Sequence, residues 1–116
     1  MTDLSKYNAL YAALSGNAAL MAKITAISDV IPDNQESPYI KVGTANETHD
    51  LIEKGSEIEV TLHIWSEYLG RKEILEIREL VKAALPSWAM YEGIDIIQDS
   101  DEPNWWHGII TIKYYE

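Results

Sequence analysis

His49, His63 and His107 are the three imidazoles in this chain, which contains no cysteine. A zinc site would need such groups to converge with a carboxylate. His63 and His107 fall in two strand-like segments and could share a sheet face. No H-x-H or H-x-x-x-H spacing brings any pair together locally, so no metal is expected. Asp99-Ser100-Asp101-Glu102-Pro103-Asn104 opens like a calcium loop. It lacks the early glycine and the distal bidentate glutamate of an EF-hand, and reads as a polar turn. Glu57 and Glu59 could pair with acids near the last strand, as hydrolases pair carboxylates. A solvated strand face is the simpler reading of both. Neither a G-x-S-x-G nucleophile turn nor a glycine-rich phosphate loop occurs. Without a thiol, disulfide frameworks and thiol catalysis are excluded. The chain is expected to be no enzyme and to hold no cofactor.

The aromatic residues are more informative. Trp65, Trp105 and Trp106, with Tyr68, Tyr114 and Tyr115, fall at strand ends or on the face opposite the core stripe. Either a second layer covers them or another subunit does, since Trp and Tyr are enriched in interface cores. Trp65, Tyr68, Trp105, Trp106, His107 and Tyr115 are the candidate interface. The alternative is a ligand pocket on the sheet face that carries Glu59, His63 and Trp65.

These residues need elements to position them. Leu4, Tyr7, Leu10, Tyr11 and Leu14 recur at helical spacing, with Thr2 as a candidate N-cap. Gly16 should end that helix in a left-handed conformation, and Asn17 can cap a short second helix over 18–23. A first strand is expected over 26–31, closed by Pro32-Asp33-Asn34. Pro38 opens an extended segment, 39–42, which Gly43 closes. The polar stretch 44–57 reads as a long loop or a ragged hairpin arm. In 58–65 the alternation is clear: Ile58, Val60, Leu62 and Ile64 point one way, Glu59, Thr61, His63 and Trp65 the other. After Gly70 an amphipathic helix runs over 71–85, with Ile74, Ile77, Leu80, Val81, Ala84 and Leu85 as its apolar stripe and Lys72/Glu76 and Glu79/Lys82 as surface pairs. Strands follow over 94–98 and 106–115, the last with Ile110, Ile112 and Tyr114 on one face and Ile109, Thr111, Lys113 and Tyr115 on the other. The expected architecture is a single α+β domain over 1–116. It has two layers: a mainly antiparallel sheet of four to five strands, and two main helices packed on one face.

Composition narrows the partners. The chain has 116 residues, of which 47% are hydrophobic and 24% charged, as in ordinary globular domains. Nineteen acids against nine bases give a net charge of −10. Residues 31–60 hold seven acids and two bases, and 91–116 hold six and one. That balance argues against grip on phosphate backbones and against docking on anionic lipid. No apolar run approaches a bilayer span, and the first residues do not read as a signal peptide. A cytosolic, soluble domain is the expectation.

Several motifs, taken in order, suggest a family. They are Pro38-Tyr39-Ile40-Lys41-Val42-Gly43, then Thr61-Leu62-His63-Ile64-Trp65-Ser66, then Gly70-Arg71-Lys72-Glu73 opening a helix that ends Ala83-Ala84-Leu85, and finally His107-Gly108. This succession resembles the tail completion proteins of long-tailed bacteriophages and prophages, also called tail-to-head joining or tail terminator proteins. The likeness covers nearly the whole chain, apart from an acidic stretch 44–57 that is long for a compact member. The resemblance implies a small structural α+β protein that acts as a homo-oligomeric ring, typically of six copies. Such a ring would cap the tail tube and join it to the head connector. Its partners would be the tail tube protein and the connector protein, with DNA only as passing cargo and no membrane. Its place would be the tail–head junction of the virion, after assembly in the host cytoplasm.

Overall fold

A computed structural model describes residues 5–32, 34–50, 55–68, 70–99 and 104–115. Three helices and five strands follow one another: α1 (Ser5–Ser15), α2 (Ala18–Lys23), β1 (Ala26–Ser28), β2 (Tyr39–Asp50), β3 (Gly55–Ser66), α3 (Lys72–Ala84), β4 (Met90–Gln98) and β5 (Trp106–Tyr115). The strands form one sheet in the order β1-β2-β3-β5-β4. Every pairing is antiparallel except the three-residue parallel contact of β1 with β2. This is the two-layer, mainly antiparallel α+β class, with α1 and α3 as the two main helices and α2 as the short one between them.

The core follows from the alternation. Val60, Leu62 and Ile64 of β3 and Ile110 and Ile112 of β5 are at most 1% exposed. They meet Ile74, Ile77 and Val81 of α3 and Leu10, Leu14 and Leu20 of α1 and α2 in one apolar cluster. Full burial of each such side chain contributes roughly 1.5–3 kcal/mol. Asn17 caps α2 as anticipated, its Oδ1 accepting from Leu20 N at 2.9 Å. Gly16 ends α1 without a left-handed turn, because positive φ among the described glycines occurs only at Gly70 and Gly93. Its N–H bonds the Ala12 carbonyl at 2.8 Å. Thr2 and Leu4 lie outside the described residues. Glu76 does not pair with Lys72; it reaches across to Lys23 of α2 at 3.3 Å. Glu79 and Lys82 are 3.9 Å apart.

Strand lengths depart from the reading in three places. β1 stops at Ser28, where the Ser28 Oγ accepts from Val30 N at 3.2 Å and turns the chain. β2 does not close at Gly43. The ladder shifts register between Val42 and Ala45 and continues to Asp50 opposite Gly55, which favours the hairpin arm of the two readings for this stretch. The glycine serves close approach: a Cβ there would stand 2.5 Å from the His63 ring and from Thr61 Oγ1. β4 begins at Met90, ahead of the expected Ile94, by absorbing a register shift between Tyr91 and Gly93. Glycine suits that point, where φ is 147°.

Candidate functional site

All three helices share one side of the sheet. The other side is built by the residues of β2, β3 and β5 that alternate with the core. Tyr39 stands opposite Trp65, Trp65 opposite His107, and Lys41 opposite His63. Cross-strand neighbours on one face sit within side-chain reach, and here they form a continuous ring stack. The His107 imidazole lies on Trp65 with centroids 3.9 Å apart and planes at 9°. His63 stacks on His107 at 4.9 Å, and its Nδ1 is 2.7 Å from His107 Nε2. Trp105 meets Trp65 and Tyr39 edge-on at 6.3 and 6.1 Å. An open groove of about 510 Å³ runs over Lys41, Val42, Gly43, His63, Trp65 and His107.

The electrostatics keep the imidazoles neutral. Loss of solvent is the main cause that pushes His107 down to about 4; the neighbouring His63 adds to it and Asp99 opposes it. His63 is also lowered, by desolvation first and then by Lys41. Two neutral imidazoles in contact can donate and accept a single hydrogen bond between them. Further along the same face Lys113 bridges Glu57 at 3.0 Å and Glu92 at 3.1 Å. Hydrogen bonds to Glu57 and then Glu92 raise the lysine pKa above its ordinary value. Tyr115 Oη donates to Glu57 at 3.3 Å. Glu57 is therefore engaged by a cation and a phenol, and shares Lys113 with Glu92. Among the described residues no group of three or more His, Asp or Glu side chains could hold a metal ion. No described helix is long and apolar enough to cross a membrane.

The structure divides the aromatic residues singled out in the sequence. Trp65, Trp105 and His107 come together on the bare face. Tyr68 and Tyr115 are about half exposed, Tyr68 in the turn after β3 and Tyr115 at the far end of β5. Tyr114, on the face of Ile110 and Ile112 as the alternation sets it, belongs to the core at 2% exposure and meets Trp88 edge-on at 5.2 Å. One placement needs correction. Trp106 faces the helix layer, packs against the core cluster and carries the Arg71 guanidinium over its ring at 5.0 Å. β5 alternates from its first residue, so Trp106 falls on the side of Gly108 and Ile110, one step out of phase with His107. Tyr39 and Lys41 were not singled out; the β2–β3 register is what brings them to the face. Side-chain positions in 100–103 and at His49 lie outside the described residues.

Fold and face together define the class: a two-layer α+β domain whose sheet, among the described residues, is covered by helices on one side only. A family model described as tail completion protein gp17 matches residues 8–115. The chain belongs to that family, and its role is a structural one in a phage tail. A chain in the virion of a native gene transfer agent (GTA) particle shares the fold. It has a TM-score of 0.74 at 14% identity, over 91% of this chain and 90% of that one. The gp17 protein of bacteriophage SPP1 superposes with a TM-score of 0.65 at 19% identity, over 95% and 87% of the two chains. No curated protein sequence gives a significant match.

Proposed function

We propose that this chain caps the phage tail tube as a ring of copies, six in the virion, and joins the tube to the head connector. DNA passes through the ring as cargo. The protein acts without catalysis or cofactor, takes the tail–head junction of the virion as its place, and assembles there from the host cytoplasm. The observation that carries the reading is the bare sheet face with its Trp65–His107–His63 stack. A single sheet layered on one side leaves its other side to be covered, and aromatic residues clustered at the centre of a face are the kind that dominate association. The charge of −10 fits a conduit through which DNA slides, since like charge suppresses phosphate binding. The interface is assigned to Trp65, Trp105 and His107, with Tyr68 and Tyr115 at its margins and Trp106 supporting it from the helix side.

Electron microscopy of the full chain mixed with tail tubes tests this. The expected result is a ring at one tube end that ends growth. A strict monomer by light scattering, with tubes present or absent, would overturn the reading. The open groove beside Lys41 and His63 favours one competing reading, a ligand-binding module that uses Glu59, His63 and Trp65. Thermal stabilisation by a metal or metabolite that disappears in His63→Ala would establish that reading instead.

A further inference from the structure

We propose that neighbouring copies join edge to edge, the free run of β2 in one copy pairing with β4 of the next, so that one sheet continues from subunit to subunit. This rests on the ring reading and names the contact between copies, which leaves the aromatic face for the tube or the connector. β1 covers β2 only at Tyr39–Lys41. Over 43–50 the outer edge of β2 has no strand beside it among the described residues, while β3 pairs with it on the inner side as far as Asp50. β4 closes the opposite side of the sheet, and over 90–97 its outer edge is open in the same sense. The two runs are equal in length and lie on opposite edges of one sheet.

An open strand edge is a ready site for another strand. Joining unlike edges is a heterologous contact, which repeats and closes into a ring when the rotation permits; joining like edges would stop at a dimer. The arm has its own need for cover. Ala45, Asn46, Glu47 and Thr48 are all exposed although their side chains alternate between faces, and a two-stranded ribbon alone is marginal in water. Asn46 and Asp95 are both exposed on the bare face, one on each edge. Ile97 and Met90, 52% and 38% exposed, lie on that same face of β4 and gain cover beside the aromatic stack. Glu47 and Glu92 place a carboxylate on each edge, so free copies repel at low salt and pair more readily as salt screens them.

The absence of cysteine makes the test direct. Asn46→Cys and Asp95→Cys are combined in one full-length chain. β2 and β4 are separated by β3 and β5, roughly 14 Å at ordinary strand spacing, too far for a disulfide within one copy. Oxidation in the presence of tail tubes should give a ladder of covalent oligomers, stronger at 0.5 M than at 0.05 M salt. The control pair Asn46→Cys with Lys72→Cys, which places the second thiol on α3, should give none. Amide exchange over 43–50 and 90–97 should slow on assembly of the unmodified chain. Assembly on tubes without a ladder, or with equal ladders from both pairs, overturns the edge contact and leaves the ring. Failure to assemble on tubes at all overturns both.

Discussion

Nδ1 of His63 and Nε2 of His107 are 2.7 Å apart, on adjacent strands of the face that no helix covers. One ring must donate and the other accept, so the contact is lost once both rings are protonated. Both imidazoles are lowered from 6.5, His107 to about 4. The sign follows from linkage. Below pH 6.5 the unfolded chain takes up protons that the folded rings refuse, so this pair's contribution is complete above 6.5 and declines as pH falls, for His107 towards about 4. Melting temperatures compared at pH 7.5 and 5 should fall less in His107→Gln than in the parent chain. An equal fall in both would remove the pair from the acid response.

Trp65 and Trp106 sit at neighbouring register positions but on opposite faces, and they should respond differently to truncation. Trp65→Ala removes the ring on which His107 stacks and should leave the fold cooperative while weakening association on tail tubes. Trp106→Ala empties a site packed against the core and under Arg71, and should cost roughly 2–4 kcal/mol in urea unfolding. Equal losses of stability for the two variants would mean that the Trp65 side of the sheet is core as well.

How far the sequence reaches is seen in these same residues. Strict alternation in Ile58–Trp65 assigns both faces of β3 correctly, because a period of two admits no other placement once one face is apolar. The last strand over 106–115 is equally legible from Ile109 to Tyr115, and Trp106 alone falls on the other face from the aromatics it is grouped with. Phase was the difficulty: aromatic residues occur on both faces of β5, and only Gly108, Ile110 and Ile112 show which parity is inward. The arm could be read only as an alternative to a loop, for a different reason. Residues 45–48 are exposed on both faces, and a strand without an apolar face has no periodic signature. The His63–His107 contact was beyond reach, since it depends on the β3–β5 register, which no local spacing encodes.

Ser66 is the one buried polar side chain among the described residues. Its hydroxyl donates to Glu73 Oε1 at 2.6 Å and accepts from Tyr68 N at 3.1 Å. It thereby ties the end of β3 to the first turn of α3, whose N-cap, Arg71, makes no side-chain capping bond. Ser66→Ala should leave both partners short of a bond and cost about 1–3 kcal/mol. Ser66→Thr, which keeps the hydroxyl, should recover part of that loss in the same urea titration. If alanine and threonine were equally harmful, the volume of the site and not its hydrogen bonds would govern the effect.

Gly108 lies on the inward face of β5 directly beneath α3. A Cβ built there would stand 2.6 Å from Ile74 Cγ2, closer than real carbon contacts allow. Ile74 is fully buried and has no room to retreat, so the helix must lift or the strand must bow. Gly108→Ala should therefore cost about 1–3 kcal/mol, the ordinary penalty for forcing a methyl group into a packed core. The loss should be specific to this pair. Ile74→Ala removes the obstructing methyl at the expense of a cavity, so the double variant should be less destabilised than the sum of the two single ones, by at least 0.5 kcal/mol. A double-mutant cycle by urea denaturation measures this. Additive losses would mean that Gly108 is needed for the backbone of β5 itself and not for the approach of the helix.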